Sequence, residues 1–217
     1  MPRQARLDVP GTLHHVMIRG IEKGKIVDDC KDRLTFIEYI GKTALENDVK
    51  IYAFALMTHH AHILFKSGKT GIFKYIRRFL TRYAMAYNRR HKRHGYLFQN
   101  RYESIICEED PYSLELVRYI HLNPLRAKLV KTPNELDTYP WCGHSSIMGN
   151  QKFEWQDRGY VLIWFGKNQE ESTKAYREYL QQGSPLGPRP DLVGGSLTQA
   201  LGRWSEVASQ RTKKTKK

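Results

Sequence analysis

The amino-acid sequence predicts an α+β fold of the ferredoxin type, with a βαββαβ chain order, one antiparallel sheet and helices on one face of that sheet. Two observations support this prediction. Short segments rich in β-branched and aromatic residues alternate with segments whose apolar residues recur at helical spacing. These segments follow one another as strand, helix, strand, strand, helix and strand within about the first 130 residues.

The predicted strands are short runs in which β-branched and aromatic residues predominate. They are Thr12–Arg19, Lys50–Met57, Ala61–Lys66 and Tyr96–Cys107. Gly20 ends the first strand, and Thr58 and His59 lie between the second and the third. The last run could be one strand or a pair of strands.

The first predicted helix spans Asp29–Asn47, where apolar residues such as Ile37, Ile40 and Ala44 recur at intervals of three and four. Gly41 weakens this helix slightly, because glycine is a poor helix former.

The second predicted helix, Gly71–His91, is strongly amphipathic. Its apolar positions fall on one arc and are Ile72, Ile76, Phe79, Tyr83 and Tyr87. Its basic positions fall on the opposite arc and are Lys74, Arg77, Arg78, Arg82 and Arg89. We expect the apolar side to pack on the sheet and the basic side to face solvent.

A third helix is predicted to begin at an Asp110 N-cap with Pro111 in its first turn, and to run to about Leu122. Pro124 should end or kink it, because a proline disfavours helical geometry at the preceding residue.

The chain is expected to divide into a first domain over residues 1–130 and an irregular connection over 131–150. Residues 151–210 are predicted to form a small, mostly helical extension that includes a capped helix over Asn168–Gln182. Residues 211–217 are predicted to be a disordered basic tail.

Positive charge is concentrated in one block of the chain. The 217 residues include 36 Lys and Arg against 22 Asp and Glu, a formal net charge of +14, and residues 49–102 contain 12 basic and no acidic side chains. A surface of one sign attracts a polyanion, usually nucleic acid, although such a surface could also serve solubility alone. The candidate nucleic-acid contacts are Arg77, Arg78, Arg82, Arg89, Arg90, Lys92, Arg93, Arg101 and Tyr102.

Several other functions are disfavoured. No apolar run approaches the roughly 18 residues of a membrane span, and the N-terminal residues lack the apolar region of a signal peptide, so no membrane association is expected. Cys30, Cys107 and Cys142 form no CxxC pair, which argues against a disulfide framework and fits a reducing cytoplasm. The chain has no P-loop, so no nucleotide cofactor is expected.

Two residue spacings favour metal-assisted chemistry. His60 and His62 lie two residues apart on a predicted strand, so both point to one face and could bind one divalent ion. Tyr119 and Asn123 lie four residues apart on one side of a predicted helix. A tyrosine hydroxyl can attack a phosphodiester that a metal ion polarises, and an asparagine oxygen could be a third ligand.

Each spacing also has a purely structural interpretation. An HxH pair often lies in a core or on a surface without binding metal. Tyr119 could pack its ring in the core, and Asn123 with Pro124 could form a turn that ends the helix. The residues alone leave both interpretations open.

Four segments of the chain match the motifs of a known family, and they occur in the same order and at the same spacing as in that family. The segments are LHHVMIRG, ALMTHHAHILF, NRRHKRHGYLFQNRYES and DPYSLELVRYIHLNPLRAKLV. Over about residues 3–150 the chain resembles the IS200-like single-tyrosine (Y1) HUH transposases, and most closely the REP-associated tyrosine transposases. Relatives usually have Pro-Asn where this chain has Thr58 and His59.

The resemblance implies a role for each candidate residue. His60 and His62 would be the metal ligands of the HUH motif, Asn123 the third ligand and Tyr119 the nucleophile. The cofactor would be Mg²⁺ or Mn²⁺, and residues 1–130 would be the catalytic domain. The family cuts and rejoins single-stranded DNA, often beside a hairpin, and its tyrosine becomes linked to a 5′ phosphate.

We therefore expect a metal-dependent single-stranded DNA endonuclease and strand transferase that acts near REP-like hairpins. The alternative is a domesticated relative that binds hairpin nucleic acid without cleaving it. The protein is expected in the cytoplasm, associated with the nucleoid. A monomer is expected because the branch of the family that it resembles carries a C-terminal extension.

Overall fold

The computed structural model describes residues 10–99, 102–107 and 111–183, with backbone only at 111 and 112. The candidate contact Arg101, the predicted cap Asp110 and the chain after residue 183 lie outside the described residues.

A four-stranded sheet forms the centre of the fold. Its strands are β1 (Leu13–Arg19), β2 (Lys50–Leu56), β3 (His60–Lys66) and β4 (Glu103–Cys107). They lie in the order β2-β3-β1-β4, and each neighbouring pair is antiparallel. This is the arrangement that the βαββαβ order predicts, and the predicted α+β fold is confirmed. Of the run Tyr96–Cys107, only the last five residues form a strand, and Phe98 makes an isolated bridge to Gly20.

Two long helices cover one face of the sheet. They are α1 (Cys30–Glu46) and α2 (Gly71–Arg90). The side chain of Asp29 caps α1 by accepting a hydrogen bond from the Asp32 backbone N–H. Phe36 of α1 packs edge-on against Phe79 of α2, with ring centroids 5.0 Å apart. Together the helices bury the apolar residues that alternate along each strand, such as Val16 and Ile63.

A third helix, α3 (Pro111–His121), packs against β2 and β3 on the other face of the sheet. It stops at His121, and a separate turn of helix, α4 (Asn123–Arg126), follows with Pro124 in its first turn. The predicted effect of Pro124 is therefore confirmed. The opposite sheet faces thus carry different helices, α1 and α2 on one and α3 on the other.

The chain after α4 is more regular than the sequence suggested. Residues 131–150, expected to be irregular, contain the short helices α5 (Pro133–Thr138) and α6 (His144–Ile147). Pro133 begins α5 because a proline fits the first turn of a helix, and the Thr132 side chain caps it. The helices α7 (Arg158–Leu162) and α8 (Gln169–Gln182) follow, and Asn168 caps α8 as predicted. No helix in the described part of the chain is both long and apolar enough to cross a membrane.

Gly41 has a packing role in the middle of α1. A Cβ added there would lie 2.1 Å from Nε1 of Trp155, so only glycine lets the indole approach the helix this closely. The glycine that weakens the helix locally therefore allows the segment after α6 to pack against α1.

We expect Gly41→Ala to lower the free energy of unfolding by roughly 1–2 kcal/mol, because displacing Trp155 outweighs the gain of about 1 kcal/mol in helix propensity. Urea unfolding followed by circular dichroism measures the change. Gly159→Ala in α7 is the matched control, since a Cβ there meets only an ordinary contact at 3.5 Å. A Gly41→Ala protein more stable than the wild type would contradict the packing role.

Candidate active site on the α3 face of the sheet

The two histidines of the HxH pair lie on the sheet face that α3 covers. His60 begins β3, and His62 follows on the same face, while Ala61 between them is buried on the opposite face. The two imidazole rings are 5.3 Å apart, measured between centroids. His62 is buried and His60 is partly exposed. Strand alternation therefore places the pair as the sequence predicts, at the end of β3 where solvent reaches His60.

Tyr119 of α3 lies directly over this pair. Its ring centroid is 5.6 Å from that of His62, with the two planes nearly perpendicular. The tyrosine is 9% exposed, so most of its ring is buried between the helix and the sheet. The nucleophile candidate and the histidine pair belong to one chain and meet at one place.

Asn123 stands one helical turn beyond Tyr119. Its amide nitrogen donates a 3.0 Å hydrogen bond to the Tyr119 carbonyl oxygen, which orients the side chain at the end of α3. The guanidinium of Arg126 lies 5.3 Å from the centre of the Tyr119 ring. Asn123 thus lies where the chain leaves α3, in the helix-ending position that the sequence left open.

His15 also belongs to this site, and the sequence analysis did not identify it. His15 lies on β1, and its Nε2 is 3.0 Å from Nδ1 of His62. Its ring is also 6.2 Å from that of Tyr119. The sequence feature that could have indicated His15 is the pair His14-His15. On a strand, one residue of such a pair points to each face of the sheet. Which of the two meets His62 depends on the register between β1 and β3.

Arg19 is a second residue that sequence reasoning missed. It is paired with His60 in the β1–β3 register and keeps about half of its side chain exposed. Arg19 therefore places a positive charge at the open edge of the histidine pair, where its guanidinium also lies 4.0 Å from the Glu103 carboxylate.

The surroundings keep both histidines of the pair neutral. Burial lowers the pKa of His62 well below its ordinary value, and the nearby His15 and His60 lower it further. Burial also lowers the pKa of His60, and the charge of Arg19 adds to that effect. A neutral imidazole is the form that binds a metal ion.

The donor set of this site fits a divalent cation. His60 and His62 would offer two neutral nitrogens and Asn123 would offer an amide oxygen, while His60 is partly exposed to solvent. Imidazole nitrogens suit divalent transition-metal ions better than Mg²⁺, which prefers oxygen ligands.

A second group of metal-binding residue types lies elsewhere in the molecule. Ligand atoms of Asp28, Asp32 and His91 all lie within 4.8 Å of one another, near the start of α1 and the end of α2. Arg90 forms ion pairs with Asp32 and with Asp29. Because Arg90 balances Asp32, and Lys25 lies 3.3 Å from Asp28, we interpret the group as an ion-pair network that joins the two helices.

The candidate nucleic-acid contacts are distributed over α2 and the loop that follows it. Arg77, Arg78 and Arg89 lie on the outward side of α2, as its amphipathic pattern predicts. A cavity of about 360 Å³ on this side is lined by Phe73, Lys74, Arg77, Arg78, Thr81 and Arg82.

Several candidates in this set already have partners, and Arg78 is one of them, since its guanidinium lies 3.9 Å from the Glu46 carboxylate. Arg82 pairs with Glu46 at 2.7 Å, and Arg90 belongs to the ion-pair network described above. The Arg93 guanidinium lies 5.7 Å from the centre of the Tyr87 ring. Lys92 is exposed in the same loop, whereas Tyr102 is partly buried and packs against the core.

The basic side of α2 and Tyr119 lie on opposite sides of the sheet. Tyr75 of α2 packs on Phe65, whose side chain points away from the face that carries His62. One phosphate therefore cannot touch both places, so any nucleic acid bound on α2 contacts the protein apart from the tyrosine.

A buried polar chain connects α3 to the helices that follow it. Nδ1 of His121 lies 2.6 Å from the Tyr176 hydroxyl, which lies 3.1 Å from Nδ1 of His144. His144 in turn contacts Asp137 through Nε2 at 2.8 Å. Because His121 is two residues from Tyr119, the position of the tyrosine depends on α5, α6 and α8 as well as on the sheet.

Comparisons with known proteins identify a matching family and similar solved structures. The family model of IS200-like transposases matches residues 9–123, which is more than half of the 217 residues. A solved structure, a REP-associated tyrosine transposase bound to a REP hairpin, is similar with a TM-score of 0.57 and 15% identity, over 71% of this chain and 91% of that one.

A second solved structure is of a protein from Deinococcus radiodurans R1 that is described as a transposase. It has a TM-score of 0.37 and 15% identity, over 55% of this chain and 95% of that one. No curated protein matches the chain. The family match runs from just before β1 to the first residue of α4, and therefore spans both HxH and Tyr119. On that match, this chain belongs to the family of IS200-like transposases.

Proposed function

We propose that the protein is a metal-dependent endonuclease and strand transferase for single-stranded DNA, with Tyr119 as its nucleophile. The observation that carries the proposal is the position of the Tyr119 ring, 5.6 Å from His62 and one turn before Asn123, within a single chain. Membership of a transposase family supports the same reaction class.

In the proposed reaction the Tyr119 hydroxyl attacks the phosphorus of the scissile phosphodiester. The bond from phosphorus to the 3′ oxygen breaks, a 3′ hydroxyl leaves, and the tyrosine remains joined to the 5′ phosphate. The phenolic proton passes to solvent. Because the phosphotyrosine bond conserves the energy of the phosphodiester, a 3′ hydroxyl can attack it and rejoin the strand.

The residues around Tyr119 have distinct tasks in this scheme. The Arg126 guanidinium beside the ring favours the negative charge that develops on the phenol oxygen. Arg19 favours binding of a phosphate at the edge of the histidine pair. His60, His62 and Asn123 would hold the divalent ion, which when bound neutralises charge on the scissile phosphate.

We further propose that the nucleic acid carries a hairpin and that the protein acts as a monomer. The similar solved structure is described as bound to a REP hairpin, which supports the first point. The contact of Tyr119 with His62 of its own chain is compatible with the second, since one copy can supply both residues.

Covalent capture tests the proposed reaction. The protein is incubated with Mn²⁺ and either single-stranded or duplex oligonucleotides that contain the repeated palindromes flanking the gene, and denaturing gels then separate covalent adducts. We expect an adduct with single strands only, and none with EDTA. Hairpin binding that ignores EDTA, with no adduct in Mn²⁺ or Mg²⁺, would instead support the non-cleaving binder.

The basic side of α2 is proposed to hold the sugar-phosphate backbone away from the cleavage point. We expect the double variant Arg77→Ala, Arg78→Ala to bind a hairpin roughly tenfold more weakly. The slope of log affinity against log salt concentration should become shallower by about one to two. Adduct formation at saturating DNA should change little, because this surface and Tyr119 are on opposite sides of the sheet.

Fluorescence anisotropy at several salt concentrations measures this effect. The matched control is the double variant Lys167→Ala, Lys174→Ala. It removes two exposed cations, one just before α8 and one on that helix. An equal loss of hairpin affinity in the two double variants would show that binding depends on net charge and that the α2 surface is not a specific contact.

A further inference from the structure

We propose that His15 is a positioning residue that holds His62 with its ring proton on Nδ1, so that Nε2 presents a lone pair to the divalent ion. The inference rests on the proposed function, since the ion at His60 and His62 is part of that function. It assigns a task to a residue that lies outside the HUH motif.

The contact between the two rings is short and enclosed. Nε2 of His15 and Nδ1 of His62 are 3.0 Å apart, and both residues are 2% exposed. The ring centroids are 5.2 Å apart and the planes are 23° from parallel, which is the arrangement of two imidazoles joined edge to edge through these nitrogens. Water cannot easily replace either nitrogen as a partner at this degree of burial, so the two imidazoles orient each other.

Strand pairing makes this contact a consequence of the fold. β1 and β3 are antiparallel neighbours, with Met17 opposite His62 and His15 opposite Leu64. His15 is therefore a diagonal neighbour of His62 on the same sheet face. His14 faces the other way, where it contacts Thr12 and Ser104.

The chemistry of neutral imidazole allows only two arrangements of one shared proton. If Nε2 of His15 donates, then His62 accepts through Nδ1 and carries its own proton on Nε2. If Nδ1 of His62 donates, then His15 accepts and Nε2 of His62 keeps a lone pair. Only the second arrangement leaves His62 a nitrogen that can bind a metal ion.

His15 is therefore assigned as the acceptor of this hydrogen bond. Histidines that bind metals commonly donate their other ring N–H to an acceptor in this way, and that partner fixes the ring orientation. His15 acts through His62 and does not itself bind the ion, because the nitrogen facing the site is already used.

Two variants separate the hydrogen bond from the packing of the ring. His15→Phe keeps an aromatic ring but cannot accept a hydrogen bond, whereas His15→Gln offers an amide oxygen. We expect His15→Phe to weaken Mn²⁺ binding about 10–100-fold in the full chain without DNA, and His15→Gln to recover much of that loss. Isothermal titration calorimetry with Mn²⁺ measures both.

The matched control is His14→Phe. His14 is the adjacent residue and is equally buried. Its replacement removes two hydrogen bonds on the opposite face of the same strand. We expect it to leave Mn²⁺ affinity within about threefold of the wild type, since a general loss of strand stability does not reach the ligand nitrogen.

A second readout is independent of metal and of activity. Nitrogen-15 NMR of the imidazole rings identifies which nitrogen of His62 carries the proton in the metal-free protein. We expect Nδ1 in the wild type and in His15→Gln, and a shift towards Nε2 in His15→Phe. If His15→Phe does not fold, the wild-type spectrum still decides, because a proton on Nε2 of His62 would overturn the inference.

The two proposals fail in different ways. Wild-type Mn²⁺ affinity in His15→Phe, combined with loss of binding in His62→Ala, would overturn the role of His15 and leave the metal site standing. Mn²⁺ binding that neither His60→Ala nor His62→Ala weakens would overturn the metal site and the role of His15 with it.

Discussion

Replacing Tyr119 by phenylalanine is expected to abolish covalent capture of single-stranded DNA, with a fall in cleavage rate of roughly 10³-fold or more. The variant removes only the hydroxyl and leaves the ring beside His62 and under Arg126. Hairpin affinity should therefore stay within about twofold of the wild type. Denaturing gels measure the adduct, and fluorescence anisotropy measures binding.

Tyr75→Phe is the matched control for the loss of a buried tyrosine hydroxyl. The Tyr75 hydroxyl donates to the Ile40 carbonyl oxygen at 3.3 Å, between α2 and α1 on the opposite face of the sheet. This variant should lose some stability and keep adduct formation. Full adduct formation in Tyr119→Phe would remove Tyr119 from the proposed chemistry.

Replacing His60 by alanine is the second change for which we expect a large effect. It removes the more exposed of the two proposed nitrogen ligands, so adduct formation should fall about 10²-fold or more, and excess Mn²⁺ should restore part of it. Because His60 is the first residue of β3 and is partly exposed, the fold should tolerate the change. Adduct formation over a range of Mn²⁺ concentrations gives both values.

The control for His60 is its neighbour His59. His59 is exposed and does not share the face of His62, so His59→Ala should leave the Mn²⁺ dependence unchanged. A protein that cleaves equally well with His60→Ala and in EDTA would contradict a metal-dependent mechanism, whatever Tyr119 does.

Local patterns predicted the elements of this fold closely. Apolar spacing placed α1 and α2 within one residue of their ends, and the asparagine cap placed the start of α8. The connection after residue 130 was predicted less well. Residues 131–150 were expected to be irregular, whereas Pro133 begins a capped helix there. Prolines are compatible with both outcomes, and the neighbouring Thr132 decides between them.

The α2 cations show a limit of reasoning from charge. The sequence grouped Arg77, Arg82 and Arg90 as equivalent DNA contacts because all belong to one acid-free block. In the folded protein Arg82 and Arg90 pair with acidic residues of α1, which lies far away in sequence. A net charge counted over a segment does not include the partners that another segment brings to it.

The sequence by itself determined which residues share a local face. The alternation of a strand put His60 and His62 on one side, and the turn of a helix put Tyr119 and Asn123 on another, because both periods are properties of the backbone. Only the tertiary structure decided that these two faces meet, that His15 contacts His62, and that the basic side of α2 lies across the sheet from the tyrosine. Those relations depend on strand register and on which sheet face a helix covers, and both are set by contacts between residues distant in sequence.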